Sequence, residues 1–406
     1  MQNDWLLDPE WTFLNHGSFG ARLKSGHAHQ DLWRARLEQQ PLRFFLDTYG
    51  VELEAARAAC AAFIGASPQD TVFVPNATYG VNSVLQSWPL QPGDEILVLD
   101  HAYGACRAAL NHRAAQAEAC VRVVTLPLPC VGPERVVDAL LEACTPRTRF
   151  AMLDAVTSPT AWVLPVAEIV KALKARGVET LVDAAHTPGM LPMDVAHWGA
   201  AYTTGNLHKW VGAPLGAAFL HVRPDHRGQV LPSNLSHGLN LDRTERWRDC
   251  FDWTGTFDPS AWLTVPFALK ALNEIMEGGS QALMTHNQAQ ARRVGAMLSD
   301  RLGLQPTCPE SMLGSMVSLF LPLPPCPLDH HLATDPLQRW LGDIHRIEVP
   351  ILTFGAHRLL RVSCHHYNKW SDYVALADAL QEGLALAGEL VFHPHPQTGS
   401  SHGPRT

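Results

Sequence analysis

The sequence predicts an α/β protein with two domains: a large one built on a mostly parallel sheet and a smaller C-terminal one. Three observations support this prediction. The chain has 406 residues, 46% of them hydrophobic, which is enough for a large core and for two domains. Short apolar runs alternate with helical patterns between residues 95 and 182, as is typical of a parallel sheet covered by helices. A second set of helical and strand patterns follows residue 276.

The first part of the chain leads into the predicted sheet. Residues 1–20 form an N-terminal segment that is extended and then turns at glycine. Helical periodicity covers residues 31–62 with an interruption at a proline. A β-rich run at 71–74 is followed by a helical pattern at 79–88. We assign residues 21–275 to the large domain.

The alternating region predicts four strands and three helices joined by right-handed crossovers. In chain order they are strand 95–99, helix 104–115, strand 121–126, helix 136–143, strand 150–153, helix 166–176 and strand 178–182. The apolar run at 217–222, after a turn rich in glycine and proline, predicts a further strand.

The C-terminal part, residues 276–392, predicts the small domain. Its elements are a long helix at 280–302, strands at 316–321, 347–351 and 359–363, and a closing helix at 371–387. The proline-rich stretch 321–336 predicts a surface excursion. Residues 393–406 have the composition of a disordered tail.

Composition excludes several classes of function. A net charge of −8 gives no electrostatic basis for binding nucleic acid or an anionic membrane. No apolar run approaches the roughly 18 residues that a membrane span needs, and the first residues do not resemble a signal peptide. The nine cysteines are scattered, which predicts reduced thiols in a cytoplasmic protein, and no histidine spacing predicts a metal site.

Two residues near the predicted strands 178–182 and 217–222 point to a chemistry. Asp183 stands where the first strand ends, and Lys209 precedes the second. Such residues can meet in one cleft at the edge of a sheet. An amine that forms a Schiff base and a carboxylate that keeps a pyridine nitrogen protonated are what catalysis by pyridoxal 5′-phosphate (PLP) needs. Taken singly, a surface lysine and a helix-capping aspartate would explain the same residues.

Two further motifs lie at predicted strand ends. Asn76, Ala77 and Thr78 separate a strand from a helix, where backbone N–H groups and a hydroxyl can bind a phosphate, although helix capping alone explains an isolated Asn and Thr. His101 follows strand 95–99, and its flat imidazole could stack on a pyridine ring or serve as an ordinary polar residue at a strand end.

Seven sequence blocks in chain order are Leu14-Asn15-His16-Gly17-Ser18-Phe19-Gly20, Asn76-Ala77-Thr78, Asp100-His101 with Tyr103, Asp183-Ala184-Ala185-His186, Gly205-Asn206-Leu207-His208-Lys209-Trp210, Trp253-Thr254-Gly255-Thr256, and Arg361-Val362-Ser363 with Tyr367-Asn368. These blocks resemble those of the class V aminotransferase superfamily, and most of all its isopenicillin N epimerase-like group, which includes the C–S lyases of the ergothioneine pathway. The resemblance implies the α/β fold of PLP-dependent transferases of fold type I and PLP as the cofactor.

The resemblance also implies a role for each matching residue. Lys209 would bind PLP covalently, Asp183 would pair with its ring nitrogen, His186 would contact its phenolic oxygen and His101 would stack on its ring. The phosphate would be held by Asn76, Ala77, Thr78, Asn206 and His208, and by Thr256 of a neighbouring subunit in a homodimer with shared active sites. The amino acid substrate would meet Arg361 through its carboxylate, with Asn15 and His16 at the entrance. Tyr103 or a neighbouring histidine could supply a second acid on the face opposite Lys209.

The expected function is that of a PLP enzyme acting at the α-carbon of an amino acid, with an epimerase or C–S β-lyase outcome. A class V aminotransferase is the alternative. A cysteine desulfurase is disfavoured, because residues 347–360, ahead of Arg361, contain no cysteine. A regulator that only binds ligands is also disfavoured, because the first block begins at Leu14 and leaves no room for a DNA-binding domain before it.

Overall fold

The computed structural model describes residues 4–240, 247–328 and 333–386; the predicted tail 393–406 lies outside them. Its strands are β1 (Thr12–Phe13), β2 (Thr71–Val74), β3 (Glu95–Leu99), β4 (Cys120–Val124), β5 (Thr148–Asp154), β6 (Glu179–Asp183), β7 (Tyr202–Asn206), β8 (Ala218–Val222), β9 (Met316–Leu321), β10 (Ile347–Glu348), β11 (Ile351–Phe354) and β12 (His357–Ser363). Its α-helices are α1 (His16–Phe19), α2 (Lys24–Gln39), α3 (Pro41–Arg43), α4 (Tyr49–Ile64), α5 (Ala77–Ser87), α6 (Gly104–Gln116), α7 (Pro133–Ala143), α8 (Val166–Lys174), α9 (Val195–Trp198), α10 (Trp247–Asp252), α11 (Ser260–Leu263), α12 (Val265–Glu274), α13 (Gly279–Leu302), α14 (Pro336–His345) and α15 (Trp370–Leu386).

The large sheet has the strand order β2-β8-β7-β6-β5-β3-β4 within the described residues. The pairs β3–β4, β3–β5, β5–β6 and β6–β7 are parallel, whereas β8 runs antiparallel to both β7 and β2. All five residues of β3 are buried, as expected for a central strand covered on both faces. The predicted mostly parallel sheet is confirmed.

Apolar residues that alternate along the central strands pack against helices on opposite faces of this sheet. Ile96 and Val98 of β3 join a cluster with residues of α5 and α6, such as Leu110. Leu97 and Leu99 join another cluster with residues of α7 and α8. Because both faces are packed, the strand ends are held in fixed positions at the sheet edge. No helix in the described ranges is long and apolar enough to span a membrane.

Strand β7 was not predicted from the sequence, because its residues, Tyr-Thr-Thr-Gly-Asn, lack an apolar run. All five are nevertheless buried. The Thr204 hydroxyl donates a hydrogen bond to the Phe219 carbonyl of β8, at 2.8 Å, which satisfies this buried polar group. A Cβ at Gly205 would lie 2.7 Å from the Phe219 ring, so glycine is needed for this close approach. The strand carries Asn206 at its end, with Lys209 three residues further on.

The C-terminal part contains a three-stranded antiparallel sheet, β11-β12-β9, against which α13 packs. The predicted surface excursion at 321–336 ends where α14 begins, and Asp335 caps that helix by accepting a hydrogen bond from the Leu337 N–H at 2.9 Å. In the N-terminal segment, β1 pairs in parallel with β10. This pairing joins the segment to the C-terminal part, while a domain boundary between α12 and α13 remains a prediction.

Candidate active site

Three polar residues end three adjacent parallel strands of the large sheet. Asp154 is the last residue of β5, Asp183 of β6 and Asn206 of β7. Asp154 and Asp183 are register partners across the β5–β6 pair. Parallel strands that end together place such side chains at one edge, the usual location of ligand sites in open α/β sheets.

A cavity of about 270 Å³ lies at this edge. It is lined by residues from the N-terminal segment, the strand ends, α5, and β12: Gly17, Ser18, Phe19, Asn76, Ala77, Thr78, Tyr103, Asp154, Val156, Ser158, Asp183, Ala185, His186, Asn206, His208, Lys209 and Arg361. Ten of the site residues predicted from the sequence are among them: Asn76, Ala77, Thr78, Tyr103, Asp183, His186, Asn206, His208, Lys209 and Arg361.

Lys209 lies on the loop between β7 and β8 and directs its amine into the cavity. Its Nζ is 3.3 Å from Nε2 of His186. Burial, together with the positive charge of Arg361, lowers the pKa of Lys209 from its ordinary 10.5 to about 7. Burial also lowers the pKa of His186 well below its usual range, so His186 stays neutral beside the amine. Near neutral pH a large fraction of the Lys209 amine is therefore uncharged and nucleophilic.

Two buried carboxylates face the cavity from neighbouring strands. Asp183 accepts hydrogen bonds from the Ala185 N–H, at 3.0 Å, and from the Cys106 thiol, at 3.3 Å. Burial raises the pKa of Asp183. Burial and then the adjacent Asp183 carboxylate raise the pKa of Asp154 well above its usual range. Two close carboxylates are not readily ionised together, and from the larger rise at Asp154 we infer that it holds the proton while Asp183 carries the charge.

The residues at the N-terminus of α5 line one end of the cavity. The Asn76 side chain caps the helix by accepting a hydrogen bond from the Tyr79 N–H at 2.8 Å, and Asn206 Oδ1 accepts one from the Ala77 N–H at the same distance. Thr78 and His208 complete this end. Burial lowers the pKa of His208 to about 4. A helix N-terminus next to a hydroxyl and an imidazole can bind an anion such as phosphate.

Arg361 on β12 brings a positive charge to the cavity. Its Nη1 donates to the Ser158 carbonyl at 2.6 Å, and its Nη2 donates to the Ser18 hydroxyl at 3.0 Å. Burial lowers the pKa of Arg361 to about 10, so the guanidinium stays charged at neutral pH. These two contacts hold the planar guanidinium in one orientation, which suits a two-point contact with a carboxylate.

His101 does not line the cavity, contrary to the prediction that it stacks on a cofactor ring. Its imidazole is buried between Trp162 and Phe354, with ring centroids 4.2 and 4.5 Å away, and its Nδ1 is bonded to Asp100 at 2.7 Å. The chain turns between β3 and α6, so that Tyr103, two residues later, lines the cavity instead.

Asn15 and His16 do not line the cavity either, although the sequence predicted them at a substrate entrance. The Asn15 amide donates to Glu348 at 3.0 Å, and His16 is bonded to Tyr367 and to the Lys209 carbonyl. The short helix α1 turns these two side chains inward and leaves Gly17, Ser18 and Phe19 at the cavity. Thr256 is exposed on the loop after α10 and lies outside the cavity of its own chain, so its predicted contact with a partner's phosphate stays a prediction.

Four residues around the cavity had no role predicted from the sequence: Asp154, Ser158, Ser18 and Cys106. The strand-end position of Asp154 matches that of Asp183, and this signal could have identified it. Ser18 stands inside the block around Asn15 and His16, but its direction depends on the helical turn. Ser158 and Cys106 act through contacts with residues far away in sequence, Arg361 and Asp183, which no local pattern reveals.

The residues around the cavity fit PLP. Within the described residues, Nδ1 of His186, Nδ1 of His208 and Nε of Arg361 are buried without a hydrogen-bond partner. Buried polar atoms are normally satisfied, so these three are suited to a bound polar molecule. An anion site at α5, a buried carboxylate and a neutral lysine amine match the phosphate, the ring nitrogen and the aldehyde of PLP.

Comparison with known proteins gives the same result. The family described as aminotransferase class-V matches residues 47–321. The chain is similar to isopenicillin N epimerase of Amycolatopsis lactamdurans, with 34% identity over 93% of this chain and 96% of the relative. It is also similar to a probable chloroplastic L-cysteine desulfhydrase of Arabidopsis thaliana, with 32% identity over 94% of this chain and 84% of the relative.

Solved structures support the fold. A C-DES mutant with glycine covalently linked to its PLP cofactor matches with a TM-score of 0.78 and 19% identity, over 92% of this chain and 96% of that one. The cysteine desulfurase CsdA of Escherichia coli matches with a TM-score of 0.74 and 18% identity, over 95% and 98% of the two chains. These likenesses confirm the fold-type I α/β architecture. With the family match and the two relatives above 30% identity, the chain belongs to the class V aminotransferase superfamily, in its isopenicillin N epimerase-like group, and is a PLP-dependent enzyme.

Proposed function

We propose that this enzyme acts at the α-carbon of a small amino acid and catalyses its epimerisation or the elimination of a sulfur substituent from its β-carbon. The observation that carries the proposal is the position of Lys209 in one cavity with Asp183 and Arg361. When bound, PLP supplies an electron sink for the negative charge that develops at the α-carbon. The protein's residues bind, orient and move the proton.

Lys209 is the proposed covalent attachment point for PLP and the base at the α-carbon. A pKa of about 7 supports both roles, because the amine is neutral enough to attack a carbonyl and basic enough to accept a proton near neutral pH. Asp183 is the proposed partner of the ring nitrogen. Asp154, the carboxyl that holds a proton, adds no second negative charge beside it.

The end of the cavity at α5 is the proposed phosphate site. Ala77, Thr78 and His208 face it directly, while Asn76 and Asn206 hold the start of the helix in place through their hydrogen bonds. The neutral imidazole of His208 can donate one hydrogen bond to an anion without an ionic contribution. We propose that His186, whose Nε2 lies 3.3 Å from the Lys209 amine, contacts the phenolic oxygen.

Arg361 is the proposed site for the substrate carboxylate, oriented by Ser158 and Ser18. Tyr103 is the proposed second acid. Its ring lines the cavity, and burial raises the pKa of its hydroxyl, so this group keeps its proton and can donate it. Protonation of the α-carbon by a group other than Lys209 leads to epimerisation, whereas protonation of a departing sulfur leads to elimination.

We further infer a homodimer with shared active sites in a reducing compartment such as the cytoplasm. The block from Trp253 to Thr256 lies on a loop whose last residue, Thr256, is exposed, and this position suits a contact with a partner's phosphate. Apart from Cys250, the cysteines of the chain are free thiols, which fits a reducing environment. A monomer in analytical ultracentrifugation at micromolar concentration, still fully active, would contradict the shared-site arrangement.

Two relatives, an epimerase and a desulfhydrase, favour epimerisation or elimination over transamination.

A desulfurase needs a nucleophilic cysteine at the substrate. Among the described residues no cysteine lines the cavity: Cys106 is buried against Asp183, and Cys364 is fully buried. The class V aminotransferase remains the alternative, and the assay below separates it from the proposal.

The deciding experiment uses purified holoenzyme with L-cysteine, cystine, S-substituted cysteines and single enantiomers of other amino acids. Elimination from cysteine consumes one water and yields pyruvate, ammonia and hydrogen sulfide; epimerisation changes only chirality. We expect multiple turnovers without an added keto acid, and no activity in Lys209→Ala. Turnover that requires a keto acid would make the enzyme an aminotransferase. Borohydride reduction with peptide mapping is expected to place PLP on Lys209.

A further inference from the structure

We propose that His16 is a positioning residue that, together with Tyr367, fixes the backbone of Lys209 from outside the cavity. Nε2 of His16 is 3.2 Å from the Lys209 carbonyl oxygen, and Nδ1 is 2.9 Å from the Tyr367 hydroxyl. His16 is 1% exposed and does not line the cavity. The inference rests on the proposed role of Lys209 and gives a role to a residue that contacts neither substrate nor cofactor.

The partners of the two His16 hydrogen bonds determine which atom is the donor and which the acceptor in each bond. A carbonyl oxygen only accepts, so Nε2 of His16 must carry the proton and donate it to Lys209. Nδ1 is then the acceptor, and the Tyr367 hydroxyl must donate to it. Burial supports this state, because it lowers the pKa of His16 to about 3 and raises the pKa of Tyr367 well above its usual range. One neutral tautomer therefore persists across the working pH range.

Packing holds the His16 ring in this orientation. The ring lies 4.6 Å from Trp210, the residue after Lys209, and stacks on His365 at 4.5 Å with an angle of 24° between the planes. His365 in turn stacks on Tyr367 at 4.4 Å. Rings packed on several sides lose little further entropy on forming a hydrogen bond, so the contact with Lys209 is pre-organised.

The same segment approaches the lysine backbone a second time at Gly20. This residue has a φ of +75°, and a Cβ there would lie 2.3 Å from the His208 carbonyl oxygen and 2.6 Å from that of Lys209. Only glycine allows both the conformation and the approach. The N-terminal segment therefore lies directly against the outer side of the peptide units at 208 and 209.

This support matters because it acts on the peptide unit of Lys209 itself, whereas the rest of the loop is held by other bonds, such as that from the His208 N–H to the Ala217 carbonyl at 3.2 Å. The Lys209 carbonyl accepts one other hydrogen bond, from the Gly212 N–H at 3.1 Å, within the described residues. Without His16 this peptide unit keeps only that second bond, and a shift of the unit moves the amine with it. The depressed pKa of Lys209 comes mainly from burial, so a less buried amine regains part of its basicity.

The test compares His16→Gln, His16→Asn and Tyr367→Phe in the full-length chain before PLP is added. A glutamine amide can reach the place of Nε2 and donate to Lys209, whereas an asparagine amide reaches only the place of Nδ1. Lys209 is labelled with a small amine-reactive reagent across a pH range, and the labelled peptide is quantified by mass spectrometry. His365→Asn is the packing control, since His365 makes no hydrogen bond to Lys209.

We expect a labelling midpoint near pH 7 in the parent chain. It should rise by about one pH unit in His16→Asn and by no more than a few tenths in His16→Gln. Tyr367→Phe and His365→Asn, which each remove one support of the ring but leave its bond to Lys209, should give a rise smaller than that of His16→Asn. A midpoint unchanged in His16→Asn, together with a lower melting temperature, would reduce His16 to a packing residue. Peptide mapping of the PLP-loaded parent tests the role of Lys209 separately, so the two failures are distinguishable.

Discussion

The two halves of the cavity are built in different ways. The cofactor half comes from the ends of β5, β6 and β7 and the start of α5, elements of the large domain that meet at one sheet edge. The substrate half combines Ser18, Ser158 and Arg361, which lie up to 343 positions apart and meet through hydrogen bonds. The first half depends on the sheet, whereas the second depends on how the N-terminal segment and the C-terminal part dock on it.

This difference predicts separate effects on cofactor chemistry and on substrate binding. The largest is expected for Asp183→Asn, which keeps the shape of the cofactor half but removes the negative charge at the ring nitrogen. Turnover should fall by about 10²- to 10³-fold while PLP is retained, as usual when a charge at a reacting centre is lost. Steady-state kinetics and the visible absorption of bound PLP measure the two quantities.

Asp154→Asn is the matched control, because Asp154 ends the neighbouring strand in register with Asp183. Since Asp154 is the carboxyl that holds a proton, its amide should act as a near-isostere and cost far less turnover. Equal losses in the two variants would reverse the assignment of charge within the pair.

A smaller effect, confined to the substrate half, is expected for Arg361→Gln. The variant loses a charge-assisted two-point contact, so kcat/KM should fall by about 30- to 100-fold, mostly through KM, with PLP affinity unchanged. Ser18→Ala removes only one of the supports of the guanidinium and should cost about three- to fivefold. An equal loss of PLP affinity in Arg361→Gln would mean that the two halves are not separate.

How far the sequence predicts each half follows from this construction. Asp183 could be placed because it follows a recognisable apolar run at the end of a predicted strand, and Asn206 because it lies close to Lys209 in the same sequence block. Strand β7 was missed because threonines replace the apolar pattern, and the Thr204 hydroxyl bonds to β8 instead. His101 and His16 were assigned to the cavity because their blocks were identified correctly, but a turn or a short helix decides which residue of a block faces inward. That decision depends on partners such as Trp162, Phe354 and Tyr367, which are distant in sequence.

The last and smallest prediction tests where the two halves interact. Lys209 captures PLP only as a neutral amine, so the capture rate at saturating PLP should rise about tenfold per pH unit below pH 7 and level off above it. The sign follows from the lowered pKa: the reactive form is present at a lower pH than for an exposed lysine. A rate that continues to rise toward pH 10 would contradict the burial of the amine.

The charge of Arg361 is the second cause of the lowered pKa of Lys209. Arg361→Gln should therefore shift the midpoint of capture upward by a few tenths of a pH unit, even though this residue belongs to the substrate half. Lys209→Ala, which cannot capture PLP covalently, gives the baseline for this measurement.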